Sequence, residues 1–384
     1  MVQRPSTTGQ LVEVFAQFQR MREAQPVSYD QATASWHLFR YDEVEQVLTN
    51  STHFSAGEPY DVTSSRACNP LQHHLVRGLI GRSLTPHAVN QLAPYIRASA
   101  QTLLDQLRPQ GSMDVIADLA VPLCQSVLAE LVGIPADHRQ HLQHWTTALM
   151  ASTWDEQASR ASQELSAYLL HLLEERLCHP EPDLLSRLLA ANMDGAHLHE
   201  REMVVCCRLL LVSGQEPITN LLGNAILCLL EHPEVIERLR HEPAPIYSTI
   251  AEVLRYLPPA WTVHRTTLTE VTLGSQHIPA HARISAEIAS ANRDAKHFAQ
   301  PEQFDIDRIP NRHLSFGDDS IHSCLGAGLT RLVARITLSL VVHQFTDLTL
   351  KTQHTLDVVD SPTLFGVKYL PITFRPMPQS SEAL

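Results

Sequence analysis

The sequence of 384 residues predicts a mainly α-helical fold with small β-sheets, an α+β arrangement, and three observations predict it. Residues 90 to 255 carry apolar side chains at three- and four-residue spacing, the period shortens to alternation after Leu257, and no linker divides the two parts.

The first part reads as successive helices separated at Pro122, Pro135, Pro180, Pro182 and Pro233, because proline cannot supply the backbone N–H that continues a helix. Past Leu257-Pro258-Pro259, the runs Val263 to Leu268 and Val271 to Ile278 alternate like strands, with Gly274-Ser275 as a turn. Leu348-Thr349-Leu350 and Lys368 to Thr373 alternate again around Asp360-Ser361-Pro362, which predicts a terminal hairpin. With no repeat, low-complexity tract or Gly/Ser linker, residues 1–384 are expected to form a single domain.

A hydrophobic content of 44% with 18% charged residues is globular composition, and a formal charge of −12 with scattered basic residues excludes a nucleic-acid surface. Charges at Arg4, Glu13, Arg20, Arg22 and Glu23 leave no room for a signal-peptide core, and no uninterrupted apolar run is long enough for a bilayer. A cytoplasmic protein without membrane association is expected, its seven cysteines reduced. His138, His141 and His144 beside Asp137 have a spacing that drifts around a helix, so a solvated face is the reading preferred over a metal site.

The most informative segment runs from Leu314-Ser315-Phe316-Gly317 through His322-Ser323-Cys324-Leu325-Gly326-Ala327 into an apolar-periodic helix from Leu329 to Phe345. Helix-start amides and the positive end of the helix dipole lower a thiol pKa, so a cysteine there is suited to ligate a soft metal centre as thiolate. Buried packing is the competing reading for any single cysteine.

Phe316, Gly317, His322, Cys324 and Gly326 in this order resemble the signature of the cytochrome P450 family, bacterial type. Glu252-Val253-Leu254-Arg255 is similar to the family's Glu-x-x-Arg motif and Phe304 to Arg308 to its meander, and further matches include Trp36, Tyr41-Asp42-Glu43-Val44 and Asn292-Arg293-Asp294. The resemblance spans almost the whole chain and implies a long central helix over heme b (iron protoporphyrin IX), with Cys324 as the iron ligand. It further implies a buried network of Glu252, Arg255 and Arg308 that holds the cysteine loop, and propionate binding by His73, Arg77, Arg265 and His322.

Leu209 to Asn220 resembles the helix crossing the distal heme face, with Gly214 and Glu216 fitting the pattern but Pro217 standing where the family has Thr. Pro217 should kink the helix and free the Ser213 carbonyl. Thr219 lies about 200° around the helix from Pro217 and cannot replace the alcohol, whereas Ser213 lies one turn back. Proton delivery is therefore expected through Glu216, ordered water and either Ser213 or a substrate hydroxyl. The cysteine loop also departs, with one residue more than the pattern and Asp319 or Ser320 in place of a glycine, beside Asp318.

The resemblance implies monooxygenation of a small, largely apolar metabolite with electrons from a ferredoxin-type partner. Pro217 and the acidic loop keep open a peroxide-driven oxidation or a rearrangement or dehydration at the heme, and a heme- or ligand-binding protein without turnover is the third reading. Specificity is expected from residues 55 to 68, 145 to 200 and Ser361 to Val367, and Trp145 and Trp154 are expected in the core rather than the pocket.

Overall fold

The structure is a computed structural model that describes residues 4–55, 78, 80–81, 83–149, 155–191, 199–242, 244–317, 323–351 and 355–378. The chain opens with α1 (Leu11–Ala24), β1 (Val27–Asp30), β2 (Ser35–Leu38), α2 (Tyr41–Thr49) and β3 (Phe54–Ser55). Among the described residues there follow α3 (Pro86–Asn90), α4 (Ala93–Leu107), β4 (Ser112–Asp114), a π-helical turn over Val115–Ala120 that runs into α5 (Val121–Val132), and α6 (Arg139–Leu149). Next come α7 (Glu156–Cys178), α8 (Leu184–Ala191), α9 (Glu200–Ser213), α10 (Gln215–Glu231), α11 (Pro233–His241) and α12 (Ile246–Tyr256). The chain then forms β5 (Thr262–Thr267), β6 (Val271–Leu273), β7 (Gln276–Ile278), β8 (Arg283–Glu287), α13 (Ile288–Ala291), α14 (Ala327–Gln344), β9 (Phe345–Leu350) and β10 (Pro371–Pro376).

Local chemistry sets these boundaries. Thr85 accepts from the Ala88 amide ahead of Pro86, Asp155 accepts from Ala158 at 2.9 Å, and His199 with Glu202 forms a reciprocal cap on α9. Pro233 opens α11, and Pro180 and Pro182 lie in the turn between α7 and α8. Pro122 departs from its expected role as a break: it sits where the wider π turn joins α5, so the helical path continues past it.

Among the described residues one helical stretch approaches membrane length, without being an uninterrupted apolar run because Asp118 and Glu130 fall within it. Val115–Val132 is long and apolar enough by length and composition, and 61% of it is buried inside the protein, where α5 packs on α4, α9 and α10.

One apolar cluster gathers the helices around α5, α10 and α14, and a second lies beneath the larger sheet with Leu38, Val44, Ile284 and Phe298. That sheet runs β1-β2-β8-β5-β3, with β2 and β8 parallel and the other neighbours antiparallel. The expected terminal hairpin is present, with Thr373 opposite Thr349, and a bridge between Val358 and Val367 encloses the turn at Asp360-Ser361-Pro362. The sequence pattern did not disclose that β4 is a third strand on β10, with Met113 opposite Ile372. The Gly274 turn joins β6 and β7 as expected.

Candidate active site

The cysteine loop is held by a buried charge network. Arg255 donates to Glu252 through Nε at 2.9 Å and a terminal nitrogen at 2.7 Å, and both side chains are fully buried. Arg308 Nε lies 3.3 Å from both Glu252 oxygens, and the Asp305 amide and Asn311 Nδ2 donate to the same carboxylate at 2.8 and 3.0 Å. Arg255 spends its remaining donors on the carbonyls of Asn292, Pro301 and Gln303. The expected Glu252, Arg255 and Arg308 network therefore exists, and it captures the meander through backbone groups as well as through charge. Such a network contributes little net stability but fixes geometry, because any unpaired member is costly.

From there the loop is built residue by residue. Leu314 and Ser315 are bonded to Asn292, and the Gly317 amide donates to the Leu314 carbonyl at 3.0 Å. Gly317 has a φ of +75°, which a side chain would strain, so glycine is needed at this turn. The Phe316 ring lies under the Arg331 guanidinium at 4.5 Å, and the Cys324 amide donates to the Phe316 carbonyl at 2.8 Å. His313 sits behind the loop; burial, reinforced by Arg331 and Arg255, pushes its pKa down to about 3, so it stays neutral and accepts from the Ser315 amide.

Cys324 is exposed, three residues ahead of the 18-residue α14. A Cβ on Gly326 would lie 3.9 Å from the Cys324 Sγ, an ordinary contact distance, which places Gly326 directly beside the sulfur. An accessible sulfur just ahead of a helix start suits a thiolate metal ligand, whereas burial pushes the Cys124 thiol up to about 12 and raises those of Cys207 and Cys228 well beyond the ordinary value. The donor set present therefore fits a heme iron. Arg265 is nearly buried on β5 and donates to the His264 carbonyl at 2.9 Å. His73, Arg77 and His322 lie outside the described residues, as do Asp318, Asp319, Ser320 and Trp154.

On the other side, the expected single long helix is two segments, α9 and α10, parted at Gly214. Pro217, third in α10, has no N–H for the Ser213 carbonyl, which accounts for the break. A Cβ on Gly214 would lie 2.5 Å from the Leu210 carbonyl and 3.4 Å from Leu128, so this corner also requires glycine. Sequence reasoning missed Cys124, whose neutral thiol reaches the Gln215 carbonyl at 3.6 Å from α5. Its only sequence signal was a cysteine in an apolar run.

Ser213 and Glu216 are both exposed around this break, and Thr219 is buried on another face, as its rotation predicts. The Ser213 hydroxyl donates to the Leu209 carbonyl at 2.6 Å, which leaves its lone pairs as acceptors. Glu216 is accessible to solvent yet walled by protein, and that partial desolvation raises its carboxyl pKa above the ordinary value. Beyond it, Asn224 Nδ2 ties α10 to the Leu257 and Phe365 carbonyls at 3.1 and 3.3 Å. The segment near Ser361 to Val367 is thus registered against the distal helix. Trp145 is buried and donates to Glu164 at 2.9 Å, a core role; His138 bonds the Tyr168 hydroxyl and His141 stacks on Trp145.

A sequence profile of the family Cytochrome P450 matches residues 130–374. Cytochrome P450 109 of Bacillus spizizenii is 35% identical over 375 residues, covering 94% of this chain and 92% of its own. Cyclomarin C epoxidase CymV of Salinispora arenicola is 37% identical over 374 residues, covering 92% and 94%. The crystal structure of CYP109E1 from Bacillus megaterium in complex with testosterone superposes with a TM-score of 0.87 at 33% identity, over 94% of this chain and 98% of that one. The match extends over the cysteine loop, the Glu252–Arg255 pair and both distal segments, and the chain belongs to the cytochrome P450 family of monooxygenases.

Proposed function

We propose that the chain is a heme-thiolate monooxygenase, acting as one cytoplasmic domain, that inserts one atom of dioxygen into a small, largely apolar metabolite using electrons from a ferredoxin-type donor. The observation that carries this reading is the accessible Cys324 sulfur ahead of α14, with the accessible acid Glu216 on a distal helix that packs against α14. Heme b, when bound through Cys324, supplies the redox-active iron and a site for oxygen chemistry.

The chain's own residues then have assigned tasks. Helix-start amides and the helix dipole hold Cys324 as thiolate. Arg265, with His73, Arg77 and His322, would hold the heme propionates. Glu216, whose raised pKa keeps its proton to higher pH, would release it into ordered water, and the relay would continue either through the Ser213 hydroxyl, which turns its own hydrogen from the Leu209 carbonyl to pass a proton on, or through a substrate hydroxyl. Pro217 keeps the helix open there. The relatives named for cyclomarin epoxidation and for a testosterone complex support a secondary-metabolite or steroid-like substrate.

The test is isotopic. A panel of apolar metabolites, including testosterone, is screened by substrate-induced spectral shift, and a binder is turned over under ¹⁸O₂ with a ferredoxin and its reductase. One ¹⁸O in product, dependent on the electron donor, is expected. Product formed only with added peroxide, or without any oxidant, overturns the reading and favours the peroxide-driven or rearrangement chemistry that the absence of an alcohol at Pro217 suggests.

A further inference from the structure

We infer that Asn292 is a positioning residue that registers the cysteine loop against the buried Glu252–Arg255 pair and so maintains Cys324 as a thiolate ligand. The inference rests on the assignment of Cys324 as the iron ligand and goes beyond it by naming what sets that ligand.

Asn292 follows α13 and is fully buried, and every hydrogen-bonding group it owns is used. Its amide donates to the Ile288 carbonyl at 2.9 Å, and its carbonyl accepts from Arg255 at 3.1 Å. Its side-chain oxygen accepts from the Leu314 amide at 2.8 Å. Its side-chain nitrogen donates to Ser315 Oγ at 2.9 Å and to the Leu254 carbonyl at 3.3 Å, and Ser315 Oγ donates to that same carbonyl. Leu254 is the residue before Arg255 in α12. One amide side chain therefore clamps two successive residues of the loop to the helix that carries the ion pair, and the next residue, Phe316, takes the Cys324 amide.

The chemistry requires an amide here. The Leu314 N–H needs an acceptor and the Leu254 carbonyl needs a donor, from two atoms of one short planar group. A carboxylate supplies the first and not the second; an alanine supplies neither and leaves a buried amide unpaired.

The experiment uses the purified, heme-bound full chain and the variants Asn292→Ala, Asn292→Asp and Ser315→Ala. Thr267→Val is the control: Thr267 is equally buried and bonded, donating to Pro279 and accepting from Ala282 at 2.8 Å each, but lies in β5 away from the loop. Each protein is read by its reduced, carbon-monoxide-bound spectrum, its ferric–ferrous midpoint potential and its melting temperature. Asn292→Ala is expected to raise the neutral-ligand fraction at least about fivefold, the effect of losing one or two buried hydrogen bonds, with Ser315→Ala smaller in the same direction and Asn292→Asp between Ala and wild type. Thr267→Val is expected to melt lower with an unchanged spectrum and potential.

If the loop variants behave like the control, Asn292 is merely structural and the inference is overturned. Should Asn292→Ala fail to fold, Ser315→Ala and Asn292→Asp decide by the same criterion. A wild-type protein without a thiolate spectrum removes the Cys324 assignment itself and this inference with it, whereas a wild-type thiolate spectrum shared by all variants removes only the role of Asn292.

Discussion

Glu216 and Ser213 lie three residues apart across the break in the distal helix, and each carries a prediction. Partial desolvation raises the Glu216 carboxyl, so a larger share holds its proton near neutrality and the protonated acid is depleted as pH rises through the raised value. Turnover is therefore expected to fall on the alkaline side of that value. Glu216→Gln is expected to cost roughly 100-fold in coupled product formation and to flatten this limb; a pH–rate profile unchanged by the substitution contradicts the role. Ser213→Ala is expected to lower product formation and raise peroxide release with a true substrate, and unchanged values of both leave the path to a substrate hydroxyl. The identities of these residues were legible from their spacing, as was the absence of an alcohol at Pro217. The bond from Ser213 to the Leu209 carbonyl was not, because a hydroxyl chooses among nearby acceptors only once the helix path is fixed.

Among the elements, α12 shows how far a sequence pattern reaches. The three-residue spacing of Glu252 and Arg255 places both on one face of a helix, while their burial was implied by the family resemblance and not by the spacing. The carbonyls of Asn292, Pro301 and Gln303 that complete the Arg255 shell come from segments without periodicity, so no pattern could announce them. Glu252→Ala strands Arg255 in the core and is expected to destabilise by about 3–5 kcal/mol in urea unfolding, with loss of heme retention; a cost under about 1 kcal/mol is incompatible with the network described. The corner between α9 and α10 makes a second demand. Gly214→Ala drives a methyl toward the Leu210 carbonyl and Leu128, so it is expected to cost about 1–3 kcal/mol, read as a lower urea midpoint.

At the scale of the whole molecule, the helical half, the strand-rich remainder and the closing hairpin were legible from period alone, and what was not legible is long-range. β4 joins β10 across most of the chain, and the side chain of Asp114 takes the Leu370 amide at 3.0 Å. Arg4 reaches Glu287 at 2.9 Å, where His37 and Thr262 also bond it. Burial alone would raise the Glu287 carboxyl, but Arg4, His37 and Thr262 outweigh it and hold the pKa below the ordinary value. The stability this contributes is present above the unfolded pKa, about 4.3, and is lost as pH falls through the lower folded value. Glu287→Gln is expected to unfold more easily at neutral pH and to show a shallower acid loss in urea midpoints, and identical profiles contradict the pairing. The iron-ligand assignment rests on the Cys324 sulfur, and the most direct measurement is the absorption spectrum of the purified chain, reduced under carbon monoxide. A strongly red-shifted Soret band is predicted, reporting a thiolate from Cys324; a band at the neutral-ligand position, or a protein that carries no heme, contradicts the assignment.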